Sequence, residues 1–135
     1  MKYFFLISIV LTIAACSKNG DCFNAQYGDP FVAQAEEDYC FSDGAEMTVD
    51  SIINAFCPCE AVCVWEGQME VYMTWTIDGV SYPYKHNSEA VDQDTLLSLP
   101  IDISITSDNI VFAEPCILEN PSPEIIMTDL IVNRN

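Results

Sequence analysis

Residues 68–78 (QMEVYMTWTID) constrain this chain more than any other segment, because their side chains alternate without a break. Met69, Val71, Met73, Trp75 and Ile77 fall on one face, and Glu70, Tyr72, Thr74, Thr76 and Asp78 on the other. A period of two is that of a pleated strand, whose successive Cβ atoms point to opposite sides. One apolar face also demands a second layer to cover it. Asp78-Gly79 follows, then residues 80–84 (VSYPY). An Asp-Gly pair between two such runs predicts a tight hairpin, since glycine takes the positive φ this turn requires. Pro83 lacks a ladder donor, which predicts that the return strand lies at an edge.

The same pattern recurs along the chain. Ile101, Ile103 and Ile105 alternate with Asp102, Ser104 and Thr106, and Ser107-Asp108-Asn109 reads as a turn before Ile110-Val111-Phe112. Residues 46–53 (EMTVDSII) and 125–132 (IIMTDLIV) supply a strand at either end, while 115–123 (PCILENPSP) is too rich in proline for regular structure. No segment shows a long helical period. The expectation is an all-β protein: an antiparallel β-sandwich, immunoglobulin-like or a small barrel, spanning residues 40–135. Residues 17–39 carry Gly, Asn, Asp and Pro at close intervals, and read as a tether with a short helical turn over 31–37.

The first sixteen residues read as an address. One lysine precedes an apolar run over 3–15 that is too short to span a bilayer, as a secretory signal requires. The run closes as Ile13-Ala14-Ala15-Cys16, which resembles the lipobox of bacterial lipoproteins. The resemblance implies removal of residues 1–15, lipidation of Cys16, and a membrane anchor at the new N-terminus, with residues 16–39 leading to the domain. Several acyl chains on one residue hold a protein on a membrane where a single chain would not. By lipoprotein sorting patterns Ser17 permits the outer membrane rather than forcing inner-membrane retention, so the expected location is the bacterial cell envelope, with the outer membrane preferred. Cleavage leaves three basic residues against 21 acidic ones, a net charge of −18. That surface repels phosphate backbones, and nucleic acid is excluded as a partner.

Six cysteines remain: Cys22, Cys40, Cys57, Cys59, Cys63 and Cys116. An even number in an exported chain reads as a disulfide framework. Several connectivities are open; the preferred set is Cys57–Cys63, Cys59–Cys116 and Cys22–Cys40. The densest block is residues 56–67 (FCPCEAVCVWEG). Its Cys57-Pro58, then Cys63-Val64-Trp65-Glu66-Gly67, leading into the strand at Val71, resembles a group of small bacterial exported proteins and lipoproteins of no agreed function. The resemblance covers about two-thirds of the chain, from Asp43-Gly44 to Val132. It implies a β-rich domain with a Cys57–Cys63 bridge and no catalytic residue; Cys22, Cys40, Cys59 and Cys116 depart from its layout.

Three functional classes follow. The first is a non-catalytic binding or structural module that engages an envelope protein or glycan. Its contact residues are the aromatics Trp65, Tyr72, Tyr82 and Tyr84, with the tyrosines on an outer sheet face. The second is an envelope metal-handling protein that holds a soft ion on Cys57, Cys59 and Cys63. The Cys-x-Cys-x3-Cys spacing lacks the second ligand pair of a structural zinc site, and Met69 and Met73 on the apolar face are explained by packing. The third is a small carboxylate-dependent hydrolase. Against enzymes stand the absence of a Gly-x-Ser-x-Gly motif and of any phosphate-binding loop, and a single histidine, His86, which reads as solvated. The acidic clusters match no calcium loop. No cofactor and no metal site is expected, and no catalytic residue is assigned.

Overall fold

The computed structural model describes residues 21–59, 61–64, 66–88, 99–113 and 122–135. The described residues are all strand, turn and loop. They form β1 (Phe23–Asn24), β2 (Pro30–Gln34), β3 (Glu37–Cys40), β4 (Glu46–Phe56), β5 (Gly67–Ile77), β6 (Val80–Asn87), β7 (Ile103–Phe112) and β8 (Ile125–Arg134). A five-stranded sheet runs β1-β3-β4-β5-β6 and a three-stranded sheet runs β2-β8-β7. All described pairings are antiparallel except the short β1–β3 pair. The two sheets bury one shared core, with Met47, Val49, Met69, Val71, Met73 and Trp75 from the first and Ala33, Ile105, Leu130 and Val132 from the second. No described pairing joins the sheets edge to edge, so the sandwich is open rather than a closed barrel. Among the described residues, no helix is long and apolar enough to cross a membrane.

The alternation of β5 is realised along its length: Met69, Val71, Met73 and Trp75 are buried and the intervening residues line the other face. Asp78 (φ 52°) and Gly79 (φ 77°) both take positive φ, the geometry that matches the right-handed twist of the strands they join. β6 with Pro83 lies at the sheet edge, as proline requires. β4 turns Met47, Val49 and Ile52 inward by means of a register shift between Val49 and Ser51, and leaves Ile53 exposed. Asp50, at this irregularity, accepts a hydrogen bond from the Thr74 hydroxyl at 2.9 Å.

Two expectations change. Ser107-Asp108-Asn109 does not end a strand: β7 runs through it, and its register against β8 shifts between Asp108 and Val111. Asn109 (φ 47°) absorbs the irregularity. Its side chain donates to Asp129 at 2.7 Å, and the Thr128 hydroxyl donates to the Asp108 carbonyl at 2.8 Å. The second change concerns the proposed tether. Residues 23–40 belong to the sheets, and 31–37 holds strand and a turn rather than a helical turn. Ala25, Ala33 and Tyr39 are buried, and Phe31 packs against the core. Glu36 (φ 67°) turns the chain from one sheet to the other, its N–H donating to the Val49 carbonyl at 2.7 Å. The Tyr39 hydroxyl then ties the sheets together, donating to the Val32 carbonyl and accepting from the Gln34 N–H, each at 3.0 Å. Those two groups lie on the edge of β2 away from β8, so the phenol covers hydrogen-bonding groups that would otherwise stand open.

Candidate functional site

The cysteine-rich block forms the connection between β4 and β5. Phe56 and Gly67 face each other at the end of the ladder, and the Cys57 N–H donates to the Glu66 carbonyl at 2.7 Å to close the loop. Cys57 and Cys63 form a disulfide across it, with Cα atoms 6.1 Å apart. Within the loop the Ala61 N–H bonds to the Pro58 carbonyl at 3.2 Å. Gly67 makes the closure possible. Its φ is +86°, and a Cβ there would collide with the Ala55 carbonyl and with the Phe56 and Cys57 backbone. Glycine is therefore required for close backbone approach as well as for its dihedral.

The clamp holds two valines away from the protein. Val62 and Val64 are fully exposed, and with Ala61 and the Cys57–Cys63 bridge they border an open groove. Val62 lies inside a ring closed by the bridge and Val64 directly follows it, so neither has a length of chain with which to reach the core. Cys59 is also disulfide-bonded. Its expected partner Cys116 lies outside the described residues, as do Trp65 and the lipidation candidate Cys16. Cys22 pairs with Cys40, with Cα atoms 5.6 Å apart, and fixes the start of β1 to the end of β3. With Cys57, Cys59 and Cys63 all in disulfides, none of the three offers the thiolate that a soft metal ligand must be.

The tyrosines do not form one outer face. Tyr82 lies opposite Trp75 and Tyr84 opposite Met73, so both share the core side of the sheet. Tyr84 is buried and Tyr82 packs against the core. Burial pushes the Tyr84 phenol up to about 12, and its hydroxyl has no hydrogen-bond partner among the described residues. Only Tyr72 faces outward, beside Lys85 and Glu70. Its hydroxyl donates to Glu70 at 3.0 Å, and the Lys85 ammonium reaches the same carboxylate at 3.1 Å and lies 5.7 Å from the Tyr72 ring centre. Burial alone would raise the Glu70 pKa, but bonds from Lys85, Gln68 and Tyr72 bring it below the ordinary carboxylate value.

His86 is likewise not solvated. It is 3% exposed, and its Nε2 shares a hydrogen bond with the Ser107 hydroxyl of β7 at 3.1 Å, linking the two sheets. Burial depresses its pKa from 6.5 to about 4, so the ring is neutral at pH 7. Nδ1 has no partner among the described residues, so no described carboxylate orients the ring as in a Ser–His–Asp triad. Among the described residues no group of three His, Cys, Asp or Glu side chains converges as a metal site.

The sequence motif includes Cys57, Cys63, Val64 and Gly67, but sequence reasoning assigns no contact role to Val62 or Val64. The signal lay in the spacing: apolar residues within or just beyond a six-residue disulfide bridge have no length of chain with which to reach the interior. No protein-family model, curated protein or solved structure matches this chain.

Proposed function

We propose that this protein is a lipid-anchored lipoprotein of the bacterial envelope, a non-catalytic binding module whose contact element is the disulfide-clamped loop between β4 and β5. The observation that carries this reading is the full exposure of Val62 and Val64 on a loop fixed by Cys57–Cys63. Apolar side chains held rigidly in water contribute nothing to folding, yet they enter an interface with little conformational entropy left to lose. The partner is another envelope protein with an apolar recess. An anionic lipid surface is disfavoured by the net charge of −17 of the chain. The Ile13-Ala14-Ala15-Cys16 signal supports the anchor, and the resemblance of residues 57–67 to small exported proteins supports the setting.

The test is site-specific photo-crosslinking in cells that carry the full chain. A photoreactive residue at position 62 or 64 is compared with one at position 80, an exposed valine at the far end of the β5–β6 hairpin. A discrete adduct from 62 and 64 but not from 80, lost in Val62→Ser/Val64→Ser protein with unchanged melting temperature, sustains the proposal. Equal labelling from all three positions overturns it. Cys16→Ser is expected to release the protein from the membrane fraction; continued sedimentation with membranes refutes the anchor.

A further inference from the structure

The described residues contain two cations, and each is held in the same way. Lys85 lies over the Tyr72 ring and pairs with Glu70. Arg134 lies over the Tyr27 ring, 5.8 Å from its centre, and pairs with Asp43, which also accepts from the Tyr27 hydroxyl at 3.0 Å. An aromatic face beside a carboxylate is a strong local preference for positive charge, combining the ring quadrupole with Coulomb attraction. In both cases the chain supplies the cation itself.

A third arrangement of this kind holds no cation among the described residues. At the open side of the sandwich, where β1 and β3 of one sheet approach β2 of the other, lies a cavity of about 270 Å³. Phe23, Tyr39 and Phe31 form its aromatic wall: Tyr39 stands between the other two, its ring centre 6.0 Å from that of Phe23 and 5.0 Å from that of Phe31. Asn24, Gln34 and Glu37 supply the polar part of the lining. The Glu37 carboxylate makes no ion pair or hydrogen bond to a described residue, whereas that of neighbouring Asp38 accepts from the Thr48 hydroxyl at 2.6 Å. Phe23 stays exposed although it lies beside buried Tyr39.

We infer that this cavity is a binding site for a small alkylammonium ion, whose charge meets Glu37 and whose methyl or methylene groups rest on Phe23, Phe31 and Tyr39. Size and charge both favour this class. The volume lies below the roughly 300–1,000 Å³ of pockets for drug-sized ligands. Anions are repelled by a chain with 21 acidic and 4 basic residues. A peptide adding as a further strand is also disfavoured here, because the Tyr39 hydroxyl occupies the outward backbone groups of β2 at Val32 and Gln34. The site lies apart from the clamped loop, so the inference stands or falls independently of the proposed binding module.

The experiment is a titration of the exported protein, followed by amide NMR shifts, with two probes of one shape. Choline carries the charge; 3,3-dimethylbutan-1-ol is its neutral carbon counterpart. Saturable shifts centred on Asn24, Val32 and Glu37, about fivefold tighter for choline than for the alcohol, are expected. Phe23→Ala and Glu37→Gln are each expected to weaken choline binding several-fold without altering the melting temperature. Should Phe23→Ala fail to fold, the two probes on the unaltered protein and Glu37→Gln still decide the matter. Equal affinity for both probes, no saturable shift, or shifts spread over the whole acidic surface would overturn the site. Tighter choline binding in Lys18→Gln protein would identify the chain's own lysine as the occupant, and would overturn the assignment to an external ligand.

Discussion

Replacing Gly67 by alanine tests whether the clamped loop is built as described. Four described glycines share nearly the same φ, +85° at Gly28, +86° at Gly44, +86° at Gly67 and +77° at Gly79. A Cβ in the left-handed region costs about 1–2 kcal/mol, and at Gly44 and Gly79 nothing lies within 4 Å to add to it. At Gly67 the new methyl group would meet the backbone of Ala55, Phe56 and Cys57. Backbone cannot rotate aside as a side chain can, so the end of the β4–β5 ladder must open. The Cys57–Glu66 hydrogen bond at 2.7 Å then goes, worth about 1 kcal/mol. Gly67→Ala is therefore expected to cost about 3 kcal/mol and Gly79→Ala about 1 kcal/mol. Thermal unfolding followed by circular dichroism separates the two, since each kcal/mol moves the midpoint of a domain this size by roughly 4 °C. If Gly67→Ala melts no lower than Gly79→Ala, the close approach between β4 and β5 is absent and the account of the loop fails.

Three further expectations follow from the same contacts. Chain-entropy scaling makes Cys22→Ser/Cys40→Ser, which opens the larger loop, cost about 3 kcal/mol against about 2 for Cys57→Ser/Cys63→Ser; the reverse order in chemical denaturation would show that the short bridge does more than restrain the unfolded chain. His86 binds a proton less readily folded, with a pKa of about 4, than unfolded, near 6.5, so its contribution is intact above pH 6.5 and lost as pH falls toward 4. The gap amounts to on the order of 3 kcal/mol, read as the difference in pH slope between the natural protein and His86→Gln; parallel slopes would refute burial of a neutral ring. Tyr84→Phe removes a buried hydroxyl with no described partner and is expected to leave stability unchanged or raise it, whereas Tyr39→Phe loses two hydrogen bonds and should cost about 1–2 kcal/mol. Equal melting temperatures for the two variants would contradict that contrast.

What was legible in the sequence is what depends on short-range periodicity. β5, its Asp78-Gly79 turn and the edge position forced by Pro83 follow from local rules, and the core confirms them. The irregular strands were harder. A bulge inserts a residue and breaks the period of two, so Asp50 blurs the alternation of β4 and Asn109 gives β7 the look of a turn. Residues 21–39 differ from their local sequence signal for another reason. Their Gly, Asn, Asp and Pro content is that of a linker, yet their place in the sheets is set by partners far along the chain: β8 pairs with Pro30–Gln34, and β4 with Glu37–Cys40. Such non-local pairing leaves little mark on a local window.

The faces of the tyrosines, by contrast, were implicit in the hairpin. A two-residue turn at Asp78-Gly79 places Ile77 opposite Val80, and each step back along β5 then meets a step forward along β6. Trp75 must meet Tyr82 and Met73 must meet Tyr84, and residues directly opposite share a face. If the Trp75 face is the core, Tyr82 and Tyr84 belong to it, while Tyr72 meets Lys85 on the other side. A contact surface made of all three tyrosines would thus require the hairpin to slip by one residue, which would turn every apolar side chain of one strand toward water. Of the large apolar side chains among the described residues, the three most exposed lie where the ladder ends, at Val62 and Val64, and where the sandwich stays open, at Phe23. In a two-layer β protein the ladder commits one face of each strand to the core; here Tyr72 on the outer face is engaged by Glu70 and Lys85, and the exposed apolar groups at Val62, Val64 and Phe23 stand on the loop that closes the ladder and on the edge it leaves unpaired.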